Sequence, residues 1–139
     1  MNTQITLASK SQTRSRLLTN AKIKFKTVDH GVDEDEIKLS MSESSPEEIV
    51  TKLAEMKALK ASISNDGLII GSDQGLDLNG KLVNKAKSFD EAHEQLKSMS
   101  GKEHTLITTT VVAKENNIMW KYVDGMCLFL LYFPCSLCV

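Results

Sequence analysis

The chain has 139 residues, of which 17 are Lys or Arg and 18 are Asp or Glu, and its formal net charge is -1. This length fits one domain and is sufficient to bury a core without disulfides. The near-neutral charge excludes a global field that would recruit nucleic acid or an anionic membrane, so we predict neither as a partner. The opening segment, MNTQITLASK, lacks the long apolar run of a signal peptide, and a cytoplasmic protein is the default expectation.

The first elements predicted along the chain are a strand, a helix and a second strand. Residues 5–8, ITLA, form an apolar run typical of a short buried strand. Apolar spacing over residues 11–21 predicts a helix, with either Ser9 or Ser11 at its N-cap. Residues 24–28 alternate between polar and apolar side chains, which indicates a half-buried strand.

The second predicted helix has the clearest start signal in the chain. Residues 32–45, VDEDEIKLSMSESS, show no clear period and predict an acidic, serine-rich loop before it. Ser45 is followed by Pro46 and Glu48, the pattern of a capping serine, a proline at the first helical position and a glutamate at the third. The Asn-Asp-Gly sequence at residues 65–67 predicts the end of this helical segment.

Residues 67–71, GLIIG, predict a buried strand that leads directly to Asp73. The Asn79-Gly80 pair that follows lies between two alternating runs and predicts a β-hairpin. Residues 75–82 also match most of the phosphate-loop pattern, but Leu82 stands where that pattern needs Ser or Thr. The hairpin also lacks the strand-to-helix connection of a phosphate loop, so we interpret the match as coincidental.

The remaining elements complete a mixed α/β sheet domain. The sequence Ser-Phe-Asp-Glu at residues 88–91 predicts a second capping box, opening a helix that Gly101 ends. Residues 104–114 and 118–123 predict two antiparallel strands joined by a Glu-Asn-Asn turn. Strands and helices that alternate in this order are typical of a mixed α/β fold in a single domain.

The last residues differ from the rest of the chain, and we predict a domain over residues 1–125 and an apolar tail over 126–139. The tail carries no charge and is shorter than the roughly 20 residues that span a bilayer. It contains all three cysteines, and Cys135 and Cys138 form a C-x-x-C pair. A zinc site needs about four ligands and no second pair exists, so apolar filler or a disordered tail is favoured over a metal or redox role.

Several large apolar side chains in and near this tail have no predicted partner strand. Pro134 would interrupt the ladder of any strand formed there. We therefore expect the following apolar residues to be partly exposed or to drive self-association: Leu128, Phe129, Leu131 and Phe133.

Two stretches carry groups suited to phosphate chemistry. Hydroxyl groups of Ser9 and Ser11 at a helix N-terminus form an anion site, and Arg14 adds a planar fork that matches phosphate oxygens. Asp73 follows an apolar strand, and we expect it at the sheet edge where α/β proteins bind ligands. A carboxylate there can hold Mg²⁺ or orient a water molecule, and the alternative is an aspartate that only caps the strand.

Six motifs, in order over residues 5 to about 123, resemble the Maf-like nucleoside triphosphate pyrophosphatases. The family's opening S-x-S-P-R-R and its V-D-E correspond here to residues 9–14, SKSQTR, and 32–34, VDE. Its L-A-x-x-K-A and G-[AS]-D-[TQ] correspond to 53–58, LAEMKA, and 71–74, GSDQ. Its glycine-lysine-proline and S-G-x-x-H correspond to 84–86, NKA, and 100–104, SGKEH.

The resemblance implies a Maf/inosine triphosphatase-like fold, a mixed twisted sheet flanked by helices. It also implies hydrolysis of a nucleoside triphosphate between the α and β phosphates, giving the monophosphate and pyrophosphate. A divalent cation, Mg²⁺ or Mn²⁺, would be held by Glu34 and Asp73, and Asp73 would act on the attacking water. Phosphate contacts are implied for Ser9, Ser11, Arg14, Lys57 and Lys85. Base selection is implied for Thr13 and Gln74.

The resemblance has departures that define an alternative. Gln12 and Thr13 replace the proline and the first arginine of the opening motif, so a phosphate or base contact differs. The family continues beyond this length with a D-K-A-G-A-Y-type segment, and nothing like it follows here. The alternative is therefore a C-terminally truncated, catalytically impaired relative that binds nucleotide or a protein. A homodimer stays open, and without the resemblance Lys57 would be interpreted as a solvated helix lysine.

Overall fold

The fold was analysed in a computed structural model, which describes residues 3–131. Phe133 and the Cys135–Cys138 pair lie outside the described residues. In chain order the elements are β1 (Ile5–Ala8), α1 (Gln12–Asn20), β2 (Lys26–Val28), α2 (Glu34–Ser40), α3 (Pro46–Ser62), β3 (Leu68–Leu78), β4 (Lys81–Val83), α4 (Phe89–Met99), β5 (Glu103–Lys114) and β6 (Asn117–Phe129). Within this part of the chain, no helix has the length and apolar character needed to cross a membrane.

The strands form one six-stranded mixed sheet, which confirms the predicted fold class. The strand order is β2-β1-β3-β5-β6, and β4 pairs with the far end of β3. The short strands β1, β2 and the start of β3 run parallel to one another. Strands β3, β5 and β6 are long and antiparallel, so the sheet extends well beyond the ends of the short parallel strands.

Helix α3 covers one face of this sheet and forms the core with it. Ala54 and Ala58 of α3 pack on Val111 and Ala113 of β5 in a fully buried cluster. A Cβ atom added at Gly71 of β3 would lie 2.6 Å from both the Ala54 carbonyl oxygen and the Ala58 nitrogen. Glycine is therefore required there, because only the bare backbone of the strand lets the helix approach so closely.

The prediction of a loop over residues 32–45 is wrong, because residues 34–40 form helix α2. Asp33 is its N-cap, and the Asp33 carboxylate accepts a hydrogen bond from the Glu36 backbone N–H at 3.0 Å. Acidic residues fill its first turn, where they interact favourably with the helix dipole. Hydrophobic periodicity could not reveal a seven-residue helix, since Ile37 and Leu39 are its only large apolar side chains.

Other elements agree with the sequence in type and differ at their ends. Strand β2 is three residues long, which is shorter than the strand over residues 24–28 that the alternating run predicted. Ser88 caps α4 as predicted, but Glu91 accepts the Lys87 backbone N–H, so only half of the predicted capping box is present. Strand β6 continues to Phe129 without interruption at residue 125, and the division of the chain at that point stays a prediction.

The capping box of α3 generates a stability prediction. Ser45 Oγ accepts a hydrogen bond from the Glu48 N–H at 3.3 Å, and the Ser45 N–H donates to the Glu48 carboxylate at 2.8 Å. Replacing Ser45 with Ala should lower the free energy of unfolding by about 1 kcal/mol. Urea denaturation at neutral pH measures this change, and the exposed Ser42→Ala serves as a matched control with little expected effect.

The same box should be sensitive to acid. The Ser45 backbone N–H and hydroxyl hold the pKa of Glu48 below its ordinary value of 4.5. A carboxyl group whose pKa is lowered in the folded state stabilises the fold at pH values above its ordinary pKa. That contribution to the free energy of unfolding disappears as the pH falls through the lowered pKa. Glu48→Gln should therefore flatten the acid limb of the stability curve, and an unchanged limb would contradict the assignment.

Candidate active site

Lys57 is the centre of the polar cluster between α3 and β3. Its residue surface is only 3% exposed. Its Nζ lies 2.6 Å from Asp73 Oδ1 and 2.8 Å from Glu34 Oε1, so one ammonium bridges two carboxylates. The interpretation of Lys57 as a solvated helix lysine is therefore wrong. A buried charge is retained in proteins when it is paired in this way.

Asp73 reaches this cluster from the middle of β3, which corrects the expectation that it lies at the end of a strand. Its backbone pairs with Thr109 of β5, because β5 continues alongside β3 far past this position. On the other side of β3, the pairing with β1 stops at Ile70. Asp73 therefore lies beyond the carboxyl end of β1, which is the edge of the parallel part of the sheet, where ligand sites commonly form.

Glu34 enters the cluster as the first residue of α2. Burial by itself would raise the pKa of the Glu34 carboxyl, but the hydrogen bond and the charge of Lys57 outweigh it and lower that pKa. His30 Nε2 lies 3.7 Å from Glu34 Oε1, and His30 Nδ1 accepts a hydrogen bond from the Val32 N–H at 3.1 Å. Burial, followed by the charge of Lys57, lowers the pKa of His30, which favours a neutral imidazole beside Glu34.

Three predicted phosphate contacts form a second group at the start of α1. Ser11 is the N-cap, and its hydroxyl accepts from the Arg14 N–H at 3.4 Å. Ser9 Oγ accepts from the Ser11 N–H at 3.1 Å and from Arg14 Nη1 at 3.3 Å. The Arg14 guanidinium is thereby held over the helix N-terminus, where backbone N–H groups and a cation both favour an anion.

An ion pair connects the loops that carry the two groups. Lys10 Nζ, in the loop after β1, lies 2.6 Å from Asp29 Oδ2, in the loop after β2. Asp29 directly precedes His30, so the loop that delivers Ser9 and Ser11 is tied to the loop that leads to Glu34. Because both side chains are more than half exposed, this pair contributes little to stability but aligns two loops on the same side of the sheet.

The structure keeps the other three predicted site residues outside both groups. Thr13 is exposed on α1, and Gln74 is exposed on β3 with its Nε2 donating to Thr108 Oγ1 at 2.8 Å. Gln74 follows Asp73 in the strand, so its side chain leaves the opposite face of the sheet. Lys85 is exposed between β4 and α4, and within residues 3–131 it forms no hydrogen bond or ion pair with either group.

Sequence patterns missed several partners of these side chains. His30 precedes Glu34 by four residues, a spacing that could have indicated contact, but the segment was predicted as a loop. Thr108 and Asp29 gave no signal, because their contacts depend on strand register and on loops that meet in space. Thr109 Oγ1, opposite Asp73 on β5, also shares a hydrogen bond of 3.1 Å with Thr51 Oγ1 of α3.

The Lys57 cluster contains two carboxylates, a type of ligand that Mg²⁺ accepts. Glu34 and Asp73 converge on one positive charge, and with Lys57 they leave a formal net charge of one negative unit. Mg²⁺ is commonly bound by one or two carboxylates together with substrate phosphates and water. Within residues 3–131 no group of three or more His, Cys, Asp or Glu side chains that could hold a metal ion comes together.

Comparisons with known proteins cover most of the chain. Residues 4–128 match the family model described as Maf-like protein. A nucleoside triphosphate pyrophosphatase of Caulobacter vibrioides is 44% identical over 125 residues, which cover 88% of this chain and 63% of that protein. A 7-methyl-GTP pyrophosphatase of Brucella abortus is 38% identical over 127 residues, which cover 89% and 64%. The chain thus spans slightly less than two thirds of the length of these curated relatives.

Solved structures share the fold at lower sequence identity. A HAM1 protein from Coxiella burnetii superposes with a TM-score of 0.53 at 16% identity, covering 90% of this chain and 70% of that one. A nucleoside-triphosphatase / dITP/XTP pyrophosphatase from Mycobacterium abscessus superposes with a TM-score of 0.50 at 11% identity, covering 89% and 71%. At these identities the likeness shows the fold alone, and it agrees with the predicted architecture.

The bridging lysine can be tested by its effect on stability. Lys57→Met keeps an unbranched side chain, one atom shorter, but leaves Asp73 without its ammonium partner and leaves Glu34 with Lys38 alone, at 4.0 Å, as a lysine partner. We expect the free energy of unfolding to fall by on the order of 3 kcal/mol, the lower end for a broken buried pair, because Glu34 is partly exposed. Lys52→Met, an exposed position on the same helix, should change it by less than about 0.5 kcal/mol.

A second substitution separates charge from packing. Adding Asp73→Asn to Lys57→Met removes the carboxylate that has lost its ammonium partner, so part of the lost stability should return. If Lys57→Met alone were as stable as the Lys52→Met control, the buried bridge would have no energetic role.

Proposed function

The chain belongs to the Maf-like protein family, and from this premise we propose that it hydrolyses a nucleoside triphosphate between the α and β phosphates. The products would be a nucleoside monophosphate and pyrophosphate. The observation that carries the proposal is the pair of carboxylates held on buried Lys57. Asp73 lies beyond the carboxyl end of β1, and the loop that follows β1 carries Ser9 and Ser11 to the start of α1, where Arg14 contacts Ser9. Such chemistry depends mainly on positioning and on charge stabilisation, and both groups supply these.

In this proposal, the residues that bind the phosphates begin at the loop after β1. Ser11 and the first N–H groups of α1 would bind phosphate oxygens, and Arg14 would leave Ser9 to pair with them. Lys57 would offset the negative charge of the phosphates, since its ammonium has three N–H groups and only two carboxylate contacts. Lys85 would approach only with movement of the segment between β4 and α4, so its role as a phosphate contact is the least supported.

Asp73 would be the catalytic residue in this scheme. Lys57 Nζ lies 2.6 Å from Asp73 Oδ1 and fixes the position of that carboxylate. The pairing of β1 with β3 ends before Asp73, where the loop after β1 begins. Asp73 would orient the attacking water and accept its proton as the bond to phosphorus forms. A divalent cation, Mg²⁺ or Mn²⁺, would be held by Glu34 and Asp73, and when bound it would offset the negative charge of the phosphates.

The substrate base would be selected from the other side of β3. Gln74 is exposed there, and Thr108 holds one end of its amide through the 2.8 Å hydrogen bond. An amide fixed at one end offers a defined donor or acceptor to a base edge. Thr13 is exposed near the start of α1 and is the second proposed selector. Because some relatives are named 7-methyl-GTP pyrophosphatases and others nucleoside triphosphate pyrophosphatases, a modified guanine nucleotide is one of the candidate substrates.

A second candidate function is nucleotide binding without turnover. Arg14 is partly exposed and Gln74 is exposed, so the residues proposed for phosphate binding and base selection border solvent. Catalysis depends on a closed and positioned site, so we expect turnover below the ordinary range of about 1 to 1,000 per second. Calorimetric binding of a triphosphate without pyrophosphate release would favour this second function. Location in the cytoplasm stays a prediction.

The catalytic role of Asp73 can be tested with a matched pair of substitutions. Asp73→Asn keeps the shape of the side chain and removes its charge, so metal-dependent release of pyrophosphate should fall by at least about 100-fold. Asp77→Asn makes the same change four residues later on β3 and should leave the rate nearly unchanged. Pyrophosphate release is measured with and without Mg²⁺, and equal rates for the parent and Asp73→Asn would show that the assignment is wrong.

Base selection generates a separate test. Gln74→Ala should change the ratio of kcat/KM among UTP, dTTP and 7-methyl-GTP, while the dependence on Mg²⁺ stays the same. Thr108→Val should shift that ratio in the same direction by freeing the amide, whereas Thr108→Ser retains the hydroxyl and should preserve it. A uniform loss of rate on all three nucleotides would contradict a role in selection.

A further inference from the structure

Two stacked aromatic rings lie on the face of the sheet opposite α3. Trp120 and Tyr122 of β6 leave the sheet on this face, because Lys121 between them contacts Glu55 of α3 on the other face. The two ring centroids are 5.9 Å apart and the ring planes differ by 13°. Trp120 is 51% exposed and Tyr122 is 56% exposed. Exposed and mutually ordered rings provide a stacking surface for a planar ligand.

A carboxylate stands next to these rings. Asp124 follows Tyr122 by two residues and is exposed on the same face of β6. Among residues 3–131 the Asp124 carboxylate has no hydrogen bond or ion pair. Trp120 covers one face of the Tyr122 ring, so Asp124 lies beyond the other face. Two residues of a strand span roughly 7 Å, about twice the best separation of non-bonded carbon atoms, so one planar ring fits between Tyr122 and Asp124 in what we call the ring slot.

The ring slot is continuous with the residue proposed above for base selection. Asp124 pairs with Thr108 of β5, and Thr108 pairs with Gln74 of β3, so the three residues form one row across the strands. Gln74 Nε2 donates to Thr108 Oγ1 at 2.8 Å, which holds the amide in this row. Neighbouring strands are about 4.8 Å apart, so a purine that enters the slot above Thr108 extends from Asp124 toward the Gln74 amide.

The ring slot can also be reached from the phosphate side of the candidate site. The pairing of β1 with β3 ends at Ile70, and the pairing of β4 with β3 begins at Leu76. Within residues 3–131 this side of β3 is therefore unpaired around Asp73 and Gln74, which leave the strand on opposite faces. A nucleotide that crosses β3 at this gap can bind its phosphates beside Asp73 and place its base on the face of Gln74.

We propose that the ring slot binds the base of the substrate and selects a purine that carries a positive charge, as alkylation at N7 of guanine produces. The Tyr122 ring attracts a cation to its face, and the Asp124 carboxylate attracts it from the other side. A neutral purine gains the stacking alone, and a phosphate is repelled by Asp124. The inference deepens the proposed hydrolysis and rests on it for the identification of the bound ring as the substrate base.

The first experiment uses Trp120 as the reporter, because it is the only tryptophan of the chain. Its fluorescence is measured during titration with 7-methyl-GMP and with GMP, without Mg²⁺, so that neither metal binding nor turnover contributes. We expect saturable quenching and an affinity about tenfold higher for 7-methyl-GMP, because attraction of the cation adds to stacking. Quenching of N-acetyltryptophanamide by the same nucleotides corrects for collisions in solution.

The second experiment tests the two walls of the ring slot by substitution. Asp124→Asn keeps the shape of the side chain and removes its charge, so the preference for 7-methyl-GMP over GMP should fall by about fivefold. Asp66→Asn, at an exposed position before β3, is the matched control and should leave the preference unchanged. Tyr122→Leu should weaken the binding of both nucleotides by about tenfold, whereas Tyr122→Phe retains the ring and should preserve it.

The outcomes separate this inference from the proposed hydrolysis. Equal affinities for the two nucleotides, no saturable quenching, or quenching that neither Asp124→Asn nor Tyr122→Leu changes would overturn the ring slot. Pyrophosphate release from 7-methyl-GTP and from GTP is measured separately with Mg²⁺. Binding of the monophosphates as expected without any pyrophosphate release would overturn the hydrolysis and leave the slot in place. Pyrophosphate release with a preference that does not depend on Asp124 would overturn the slot and leave the hydrolysis in place.

Discussion

The bridge from Lys57 to Glu34 and Asp73 is the constraint on which the arrangement of this protein depends. Lys57 is 3% exposed and is paired with two carboxylates, which come from α2 and β3. Burial of a charged group is costly unless it is paired in this way. The ammonium therefore fixes where α3 lies on the sheet and where α2 begins. The same three charges form the polar centre of the candidate site, so stability and chemistry share one interaction.

The bridge is possible only because α3 approaches β3 closely. Gly71 leaves no side chain between the strand and the helix, and Ala54 and Ala58 present small surfaces to it. A larger residue at any of these positions would push α3 outward and lengthen the contact between Lys57 and Asp73. The small residues next to the site therefore set its geometry, although they carry no chemistry themselves.

The long antiparallel strands have two consequences. Because β3 and β5 extend beyond the end of β1, Asp73 lies on a rigid, paired strand and still lies beyond the end of β1, where the loop to α1 begins. Because β6 extends with β5, the described part of the sheet ends in a strand whose side chains Leu128 and Phe129 are partly exposed, as predicted, and Leu131 just after it is also exposed. The extension of the long strands beyond the end of β1 thus positions the candidate site and leaves β6 at the edge of the described sheet.

The sequence by itself determined the elements with local signals: the Ser45 capping box, the Asn79-Gly80 hairpin, the serine caps and the mixed α/β class. It also marked Glu34, Lys57 and Asp73 through ordered motifs. Tertiary structure alone decided that Lys57 is buried between two carboxylates, that Asp73 lies within a strand, and that Gln74 bonds Thr108. Caps and turns depend on residues a few positions apart, whereas these contacts depend on strand register and helix placement, which no local pattern encodes.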